Sequence, residues 1–286
     1  MLEQLGIEDV QRHFPEFDID THIADGGQKK VYLGEFEGEQ VVVKLIPTER
    51  RRSARRAKRE VETMEAVDAD ALVNLIDNFT DTIGDTSVLV MVEEYIPGPT
   101  LREVIERGDT GVDLGMNVTQ TLLGALRKFH DVDIIHRDIK PSNIIVTPDG
   151  IVRLLDVGIA RMLTRTSITP TRASHGPGTP TYASPEQLNN DKDLQDIRSD
   201  LFSTGIVMFE SLTGDHPFAT DDLELPIPDA ILQNDKRPLE GYLDDSELEQ
   251  DLHPIYDKMT KPQPFERYRR PHHALEDLNA VTGGGS

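Results

Sequence analysis

The sequence predicts an α+β fold in two parts, a strand-rich N-terminal part with one inserted helix and a larger, mostly helical C-terminal part. β-Branched and apolar runs separated by glycine-containing turns occupy residues 21–95. Apolar residues at helical spacing dominate the chain after Pro97-Gly98-Pro99. A chain of 286 residues has the length for one large domain or two smaller lobes.

The N-terminal part begins with a predicted extension at residues 1–20, a short amphipathic helix that ends near Pro15. A lobe at residues 21–95 follows, in which one helix, over residues 49–67, interrupts the strands. The runs that predict strands are His22-Ile23, Val31-Tyr32-Leu33, Val41-Val42-Val43 and residues 88–92. Strands with a single inserted helix suit a small mixed lobe.

The C-terminal lobe is predicted over residues 96–281. A buried helical face is indicated by Leu122, Leu123, Leu126 and Phe129, and a second helix by residues 201–212. Residues 219–245 are rich in acids and prolines and predict surface loops, and residues 282–286 predict a flexible tail.

The charge and composition exclude several classes of function. The formal net charge is −22, so the summed field would repel nucleic acid and anionic membranes. Cysteine is absent, which excludes disulfides and thiolate metal sites and fits a reducing cytosol. The longest apolar runs have strand length, far below the roughly 20 residues that span a bilayer. We therefore expect a soluble cytoplasmic protein.

One loop, His136-Arg137-Asp138-Ile139-Lys140-Pro141-Ser142-Asn143, carries the most specific chemistry in the chain. Phosphoryl transfer needs a group that orients the attacking hydroxyl, a cation for the developing charge and oxygen ligands for Mg²⁺. Asp138, Lys140 and Asn143 have these functional groups. Eighteen residues after Asp138, Asp156 follows an apolar run and is a second candidate metal ligand.

Four motifs together resemble the eukaryotic-like (Hanks-type) serine/threonine protein kinases, with similarity to the bacterial members, over about residues 20–280. In order, they are Val41-Val42-Val43-Lys44, the Asp138 loop, the Asp156 motif and Ala183-Ser184-Pro185-Glu186. This resemblance implies the bilobal protein-kinase fold. A small lobe with a five-stranded antiparallel sheet and one helix would precede a larger, mostly helical lobe.

The resemblance also implies roles for the main candidate residues. Lys44 would contact the ATP phosphates and pair with Glu60, with Glu62 as the alternative partner. Asp138 would orient or deprotonate the substrate hydroxyl, and Lys140 would neutralise charge on the transferred group. The expected ligands of Mg²⁺, with Mn²⁺ as a substitute, are Asn143 and Asp156.

The predicted nucleotide-binding residues follow the same resemblance. The glycine-rich loop is irregular and contains Ala24, Asp25, Gly26 and Gly27. Glu94 and Ile96 belong to the expected hinge that holds the adenine edge, and the ring would lie among Val31, Val42 and Ile145. Glu93 is unusual because an apolar residue is expected there. Either this register is off by one residue or the nucleotide pocket carries an acid.

Residues 159–185 contain no acid, although 52 of the 286 residues are Asp or Glu. Phosphates added here would meet cations, and Arg137 is the expected receiver. We therefore predict autophosphorylation within residues 164–174. The candidate regulatory residues are Thr164, Thr166, Ser167, Thr169 and Thr171, together with Thr179, which resembles the threonine that borders the substrate site.

Three further residues are implied to have architectural roles. Glu186 is expected to pair with Arg267, and Asp200 to accept hydrogen bonds from the backbone of the Asp138 loop. The sequence thus predicts transfer of the γ-phosphoryl group of Mg-ATP to Ser or Thr hydroxyls of protein substrates. Two alternatives remain, a pseudokinase that binds nucleotide or acts as a scaffold, and a small-molecule kinase with the same fold. The sequence does not reveal the oligomeric state.

Overall fold

The computed structural model of the chain describes residues 6–26, 29–48, 70–155, 180–219 and 225–283. These residues belong to two compact units. The first contains the described residues up to residue 48 and residues 73–97, and the second contains residues 70–72 and the described residues from 98 onward. The helix predicted over residues 49–67 lies outside the described residues.

The first unit consists of helix α1 (Ile7–His13) and a five-stranded antiparallel sheet. Its strands are β1 (Asp18–Gly26), β2 (Lys29–Phe36), β3 (Glu39–Thr48), β4 (Leu75–Ile83) and β5 (Thr86–Glu94). The strand order is β1-β2-β3-β5-β4, so the long strand β3 lies at the centre. The predicted five-stranded sheet is confirmed.

Helix α1 covers one face of this sheet. Val10 and Phe14 are at most 1% exposed, and they belong to one apolar cluster with Val41, Val43 and Val92 of the two central strands. The helix ends where Phe14 precedes Pro15, since a residue before proline disfavours helical geometry. Side chains alternate between faces along a strand, so Val42, Lys44 and Glu93 lie on the opposite face.

The second unit is mostly helical. A short β-hairpin of strands β6 (Ile144–Val146) and β7 (Val152–Leu154) follows the Asp138 loop. The helices are α2 (Leu101–Glu106), α3 (Val112–Asp131), α4 (Pro185–Leu188), α5 (Ile197–Thr213), α6 (Ile227–Gln233), α7 (Ser246–Met259) and α8 (Pro271–Gly283).

Helix α5 lies at the centre of the second unit. Fifteen of its 17 residues are buried, as expected of a helix that packs on all sides. It lies against α3 and α7 at glycine positions. A Cβ atom on Gly205 would lie 2.6 Å from Cγ2 of Thr260, and one on Gly115 would lie 2.5 Å from Leu212. Glycine is therefore required for this close helix packing.

Two predictions for the second unit were wrong in part. Residues 219–245 were predicted as surface loops, but α6 forms within them because Ala230 and Ile231 give it an apolar side that packs with Phe218. Helix α8 continues to Gly283, two residues into the predicted flexible tail. Within the described parts of the chain, no helix combines the length and apolar character needed to cross a membrane.

Candidate active site

The Asp138 loop, in the second unit, is held in place by Asp200 near the start of α5. The backbone N–H groups of His136 and Arg137 donate to the two carboxylate oxygens of Asp200, both at 2.7 Å. Asp200 is fully buried. Arg137 has a φ of 66°, a left-handed conformation that is unfavourable for arginine. The two charge-assisted hydrogen bonds that Asp200 accepts stabilise this turn.

Two predicted catalytic side chains and one predicted metal ligand meet within this loop. Nζ of Lys140 lies 2.8 Å from Oδ2 of Asp138. The amide nitrogen of Asn143 donates to the same Oδ2 atom at 2.9 Å and to the backbone carbonyl of Asp138 at 2.8 Å. The 3₁₀ turn Pro141–Asn143 brings Asn143 back toward Asp138. The Asp138 carboxylate is thus fixed in direction while 18% of the side chain remains exposed.

The oxygen atoms of this cluster suit a hard cation. The nitrogen of the Asn143 amide faces Asp138, so its Oδ1 atom is directed to the other side of the group. Carboxylate and amide oxygens are the ligands that Mg²⁺ and Mn²⁺ prefer. Among the described residues, no group of three or more His, Cys, Asp or Glu side chains could hold a metal ion. The other predicted ligand, Asp156, lies outside the described residues.

The backbone that leads to Asp156 is tied to the loop as far as Leu155. The N–H group of Leu155 donates to the carbonyl of Asn143 at 2.8 Å. The carbonyl of Leu155 lies 3.2 Å from Nε2 of His136, a residue that is itself fully buried. The segment before Asp156 therefore runs beside Asn143.

In the first unit, the central strands place four residues on one face of the sheet. Val31 is opposite Lys44 in the β2–β3 register, and Val42 is opposite Glu93 in the β3–β5 register. Cross-strand partners share a face, and so do residues two apart on a strand. Val31, Val42, Lys44 and Glu93 therefore lie together on the face opposite α1.

Lys44 forms a buried ion pair with Glu93. Nζ of Lys44 contacts Oε2 of Glu93, and the two residues are 3% and 5% exposed. Val92, the preceding residue, points to the α1 face and is fully buried there. Of the two alternatives for this strand, the register favours the one in which Glu93 itself carries an acid on the Lys44 face. The predicted partner Glu60 lies outside the described residues.

The expected hinge is described in full, and the glycine-rich loop only in part. Two hydrogen bonds join Glu94 to Asn74. The Glu94 N–H donates to the Asn74 carbonyl at 3.0 Å, and Oε1 of Glu94 accepts from the Asn74 N–H at 2.8 Å. Ile96 is partly exposed. Ala24, Asp25 and Gly26 form the end of β1 and pair with β2. Gly27 lies outside the described residues. In the second unit, Ile145 lies in β6 opposite Arg153.

The predicted regulatory threonines and serine lie outside the described residues. These are Thr164, Thr166, Ser167, Thr169, Thr171 and Thr179. Arg137, their expected receiver, is partly buried, and its backbone carbonyl accepts a hydrogen bond from Gln187 at 3.4 Å. The autophosphorylation sites therefore stay a prediction.

The expected ion pair between Glu186 and Arg267 is present. Arg267 donates to both carboxylate oxygens of Glu186, at 2.7 and 2.9 Å, and both side chains are at most 1% exposed. The hydroxyl of Ser199 adds a third hydrogen bond at 2.7 Å. Burial acts to raise the pKa of Glu186, but the hydrogen bonds and charge of Arg267 outweigh it and lower the pKa overall.

A second polar cluster in this unit was not predicted. The hydroxyl of Tyr182 donates to Oε2 of Glu210 at 2.6 Å, and Arg102 contacts Oε1 of Glu210 at 2.8 Å as well as the Tyr182 hydroxyl. Burial raises the pKa of Glu210. A single acid within the apolar run of residues 201–212 was the signal that could have indicated this cluster.

Comparison with known proteins identifies the family. The family model for the protein kinase domain matches residues 17–277. The chain therefore belongs to the protein kinase domain family, and the predicted fold class and family are confirmed. Members of this family in general use ATP and a divalent metal ion.

Individual relatives are bacterial serine/threonine protein kinases. A probable serine/threonine-protein kinase of Streptomyces coelicolor is 31% identical over 284 residues, which are 97% of this chain and 42% of the relative. PknL of Mycobacterium tuberculosis is 31% identical over 86% of this chain and 67% of its own length. PrkC of Bacillus subtilis is 31% identical over 90% of this chain and 38% of its own length. The chain thus spans less than half of the Streptomyces and Bacillus relatives.

Proposed function

We propose that this chain transfers the γ-phosphoryl group of Mg-ATP to serine or threonine hydroxyls of proteins. The observation that carries the proposal is that Lys140 and Asn143 both contact the same carboxylate oxygen of Asp138. The predicted enzyme class, a serine/threonine protein kinase, agrees with the names of the relatives.

Asp138 is the residue that faces the substrate hydroxyl in this proposal. Lys140 and Asn143 both contact Oδ2, so the rotation of the carboxylate is restricted and Oδ1 keeps a defined direction. A positioned carboxylate can accept the hydroxyl proton as the oxygen attacks phosphorus. Lys140 is close enough to Asp138 to offset negative charge that develops on the transferred group.

The divalent ion, for which we propose Mg²⁺, would be held by Asn143 and Asp156 and would neutralise phosphate charge when bound. In the first unit, Lys44 would contact the phosphates, and Val31 and Val42 of the same face would contact the adenine ring. The predicted hinge residues Glu94 and Ile96 would contact the adenine edge, and Ile145 stays a predicted contact of the adenine ring. The absence of cysteine supports action in a reducing cytoplasm.

The alternative of a pseudokinase starts from the irregular glycine-rich loop and from Glu93. The intact Asp138 cluster opposes it, because a pure scaffold has no need of a carboxylate fixed by both an ammonium and an amide. The names of the relatives give it no support either. We therefore place the catalytic function first.

The proposal is tested by incorporation of labelled phosphate from [γ-³²P]ATP into a generic protein substrate. We expect Asp138→Asn to reduce incorporation by about 10³-fold or more, because the proton acceptor is lost. Asp133→Asn is the matched control, since Asp133 is exposed three residues before this loop and its left-handed φ of 56° is compatible with asparagine. No Asp138-dependent incorporation with either Mg²⁺ or Mn²⁺ would favour the scaffold.

A further inference from the structure

We propose that Glu93 is a positioning residue for the kinase reaction, whose carboxylate holds the Lys44 ammonium in the direction of the ATP phosphates. The predicted partner of Lys44 is Glu60 on the inserted helix. Glu93 belongs to β5, the strand hydrogen-bonded to the strand of Lys44. The sheet thus supplies its own anion for this lysine. The proposal rests on the proposed function, because it assigns Lys44 to the phosphates.

The register of the sheet fixes the relative position of the two side chains. Val42 pairs with Glu93 and Lys44 pairs with Met91, so Lys44 and Glu93 are diagonal neighbours on one face. Diagonal Cβ atoms lie about 7 Å apart or somewhat less, which is within reach of two long side chains. Backbone pairing therefore brings the two side chains within reach, and Nζ of Lys44 contacts Oε2 of Glu93.

Burial gives both charges a need for compensation. Lys44 is 3% exposed and Glu93 is 5% exposed. A buried charge is costly unless an opposite charge or several hydrogen bonds compensate for it. Removal of the Glu93 charge would leave the ammonium with less compensation, and removal of Lys44 would do the same to the carboxylate. Met91, two residues earlier on the same strand and face, is apolar, so the acid at position 93 differs from its neighbour on that face.

Because Glu93 lies on a strand of the same sheet as Lys44, the position of its carboxylate depends on that sheet. A carboxylate on a neighbouring strand keeps its place as long as the sheet is intact, with β3 and β5 joined along Val41–Thr48 and Ser87–Glu94. A carboxylate on a separate helix depends also on the position of that helix. Lys44 of this chain thus has a carboxylate partner within its own sheet.

The test compares two ligands that differ only in phosphate. We expect Glu93→Gln to weaken the binding of a non-hydrolysable Mg-ATP analogue by about 10-fold or more, because Lys44 loses its fixed direction. Adenosine binding should change less than twofold, since adenosine has no phosphate for Lys44 to contact. Glu39→Gln is the matched control, an exposed acid on the strand of Lys44, and should affect neither ligand.

Equal weakening of both ligands would mean that Glu93 only shapes the adenine site, and the proposal would be wrong. Unchanged binding of the analogue would also overturn it. If the wild-type protein binds the analogue but transfers no phosphate, the proposed kinase function is wrong. The comparison of the analogue with adenosine would still test whether Glu93 positions Lys44.

A second measurement keeps the proposal testable if Glu93→Gln does not fold. We expect the double variant Lys44→Met/Glu93→Met to melt at a higher temperature than Lys44→Met alone, because the double variant leaves no buried carboxylate without its lysine. If the losses of melting temperature in Lys44→Met and Glu93→Met add up to the loss in the double variant, the two residues are not coupled and the proposed pair is wrong.

Discussion

Asp138 and Lys44 obtain their orientation in different ways. Asp138 is fixed by residues two and five positions later in the same loop, Lys140 and Asn143. Lys44 is fixed by Glu93, which is 49 residues away in sequence and becomes a neighbour only through the sheet. Local contacts of the first kind can be predicted from a contiguous motif. Contacts of the second kind can be predicted only when the strand register is known. The sequence therefore showed that Glu93 is unusual but did not show its contact with Lys44.

His216 is a partly buried histidine that should make stability depend on pH. Its Nε2 atom lies 3.1 Å from the carbonyl of Thr181, and its Nδ1 atom accepts from the N–H group of Phe218 at 3.2 Å. Burial, together with the charges of Arg102 and Arg237, lowers the pKa of His216 to about 4. The unfolded chain has a histidine pKa of about 6.5.

We expect the free energy of unfolding to fall by about 1 to 2 kcal/mol through His216 when the pH is lowered from 7 to 5. The unfolded state binds a proton in this window and the folded state does not, so acid favours unfolding. Urea unfolding of wild type and His216→Gln at both pH values measures this contribution. His273→Gln, on α8, is the control. An equal pH dependence in wild type and His216→Gln would contradict the prediction.

Among the helices and strands, segments with a regular apolar pattern were predicted from the sequence, and a strand interrupted by polar residues was not. Helix α3 was indicated by Leu122, Leu126 and Phe129, all fully buried on one face. Strand β4 contributed no predicted run because Asp77, Asn78 and Asp81 interrupt its apolar pattern. It forms a strand because it pairs with β5 along its length, and that tertiary pairing outweighs its weak strand propensity.

The link between α4 and the 3₁₀ turn Pro264–Glu266 depends on one arginine. All three nitrogen positions of Arg267 are satisfied, by Glu186, by the carbonyl of Arg198 and by the carbonyls of Lys261 and Pro262. Its guanidinium also lies over the ring of Phe202, 4.8 Å from the centroid. Glu186 could be predicted from its motif, and Arg267 from the resemblance alone.

We expect Arg267→Ala to lower the free energy of unfolding by about 3 to 5 kcal/mol, because Glu186 would remain buried without its counter-charge. Urea unfolding followed by circular dichroism measures the loss. Arg269→Ala is the control, since Arg269 is exposed two residues away and its change should stay within about 0.5 kcal/mol. A loss below about 1 kcal/mol for Arg267→Ala would show that the pair contributes little to stability.

At the scale of the whole molecule, the dominant property is negative charge. The chain has 52 acidic and 30 basic residues, and the formal net charge is −22. Some acids are neutralised locally, as Glu186 is by Arg267 and Glu93 by Lys44. Each pair combines one negative and one positive charge, so the pairs leave the net negative charge of the chain unchanged. The folded chain gathers this excess into a smaller volume than the unfolded chain does, and self-repulsion therefore opposes folding.

Salt should consequently stabilise the protein. We expect the melting temperature at pH 7 to rise by a few degrees as sodium chloride increases from low to high concentration, because the Debye length shortens from about 30 Å at 0.01 M to about 3 Å at 1 M. Differential scanning calorimetry measures the shift. Sucrose is the control, since it stabilises compact states without screening and its effect should not depend on salt concentration. If the melting temperature fell with added salt, attraction within ion pairs such as Lys140 with Asp138 would outweigh the net repulsion, and the charge excess would not limit stability.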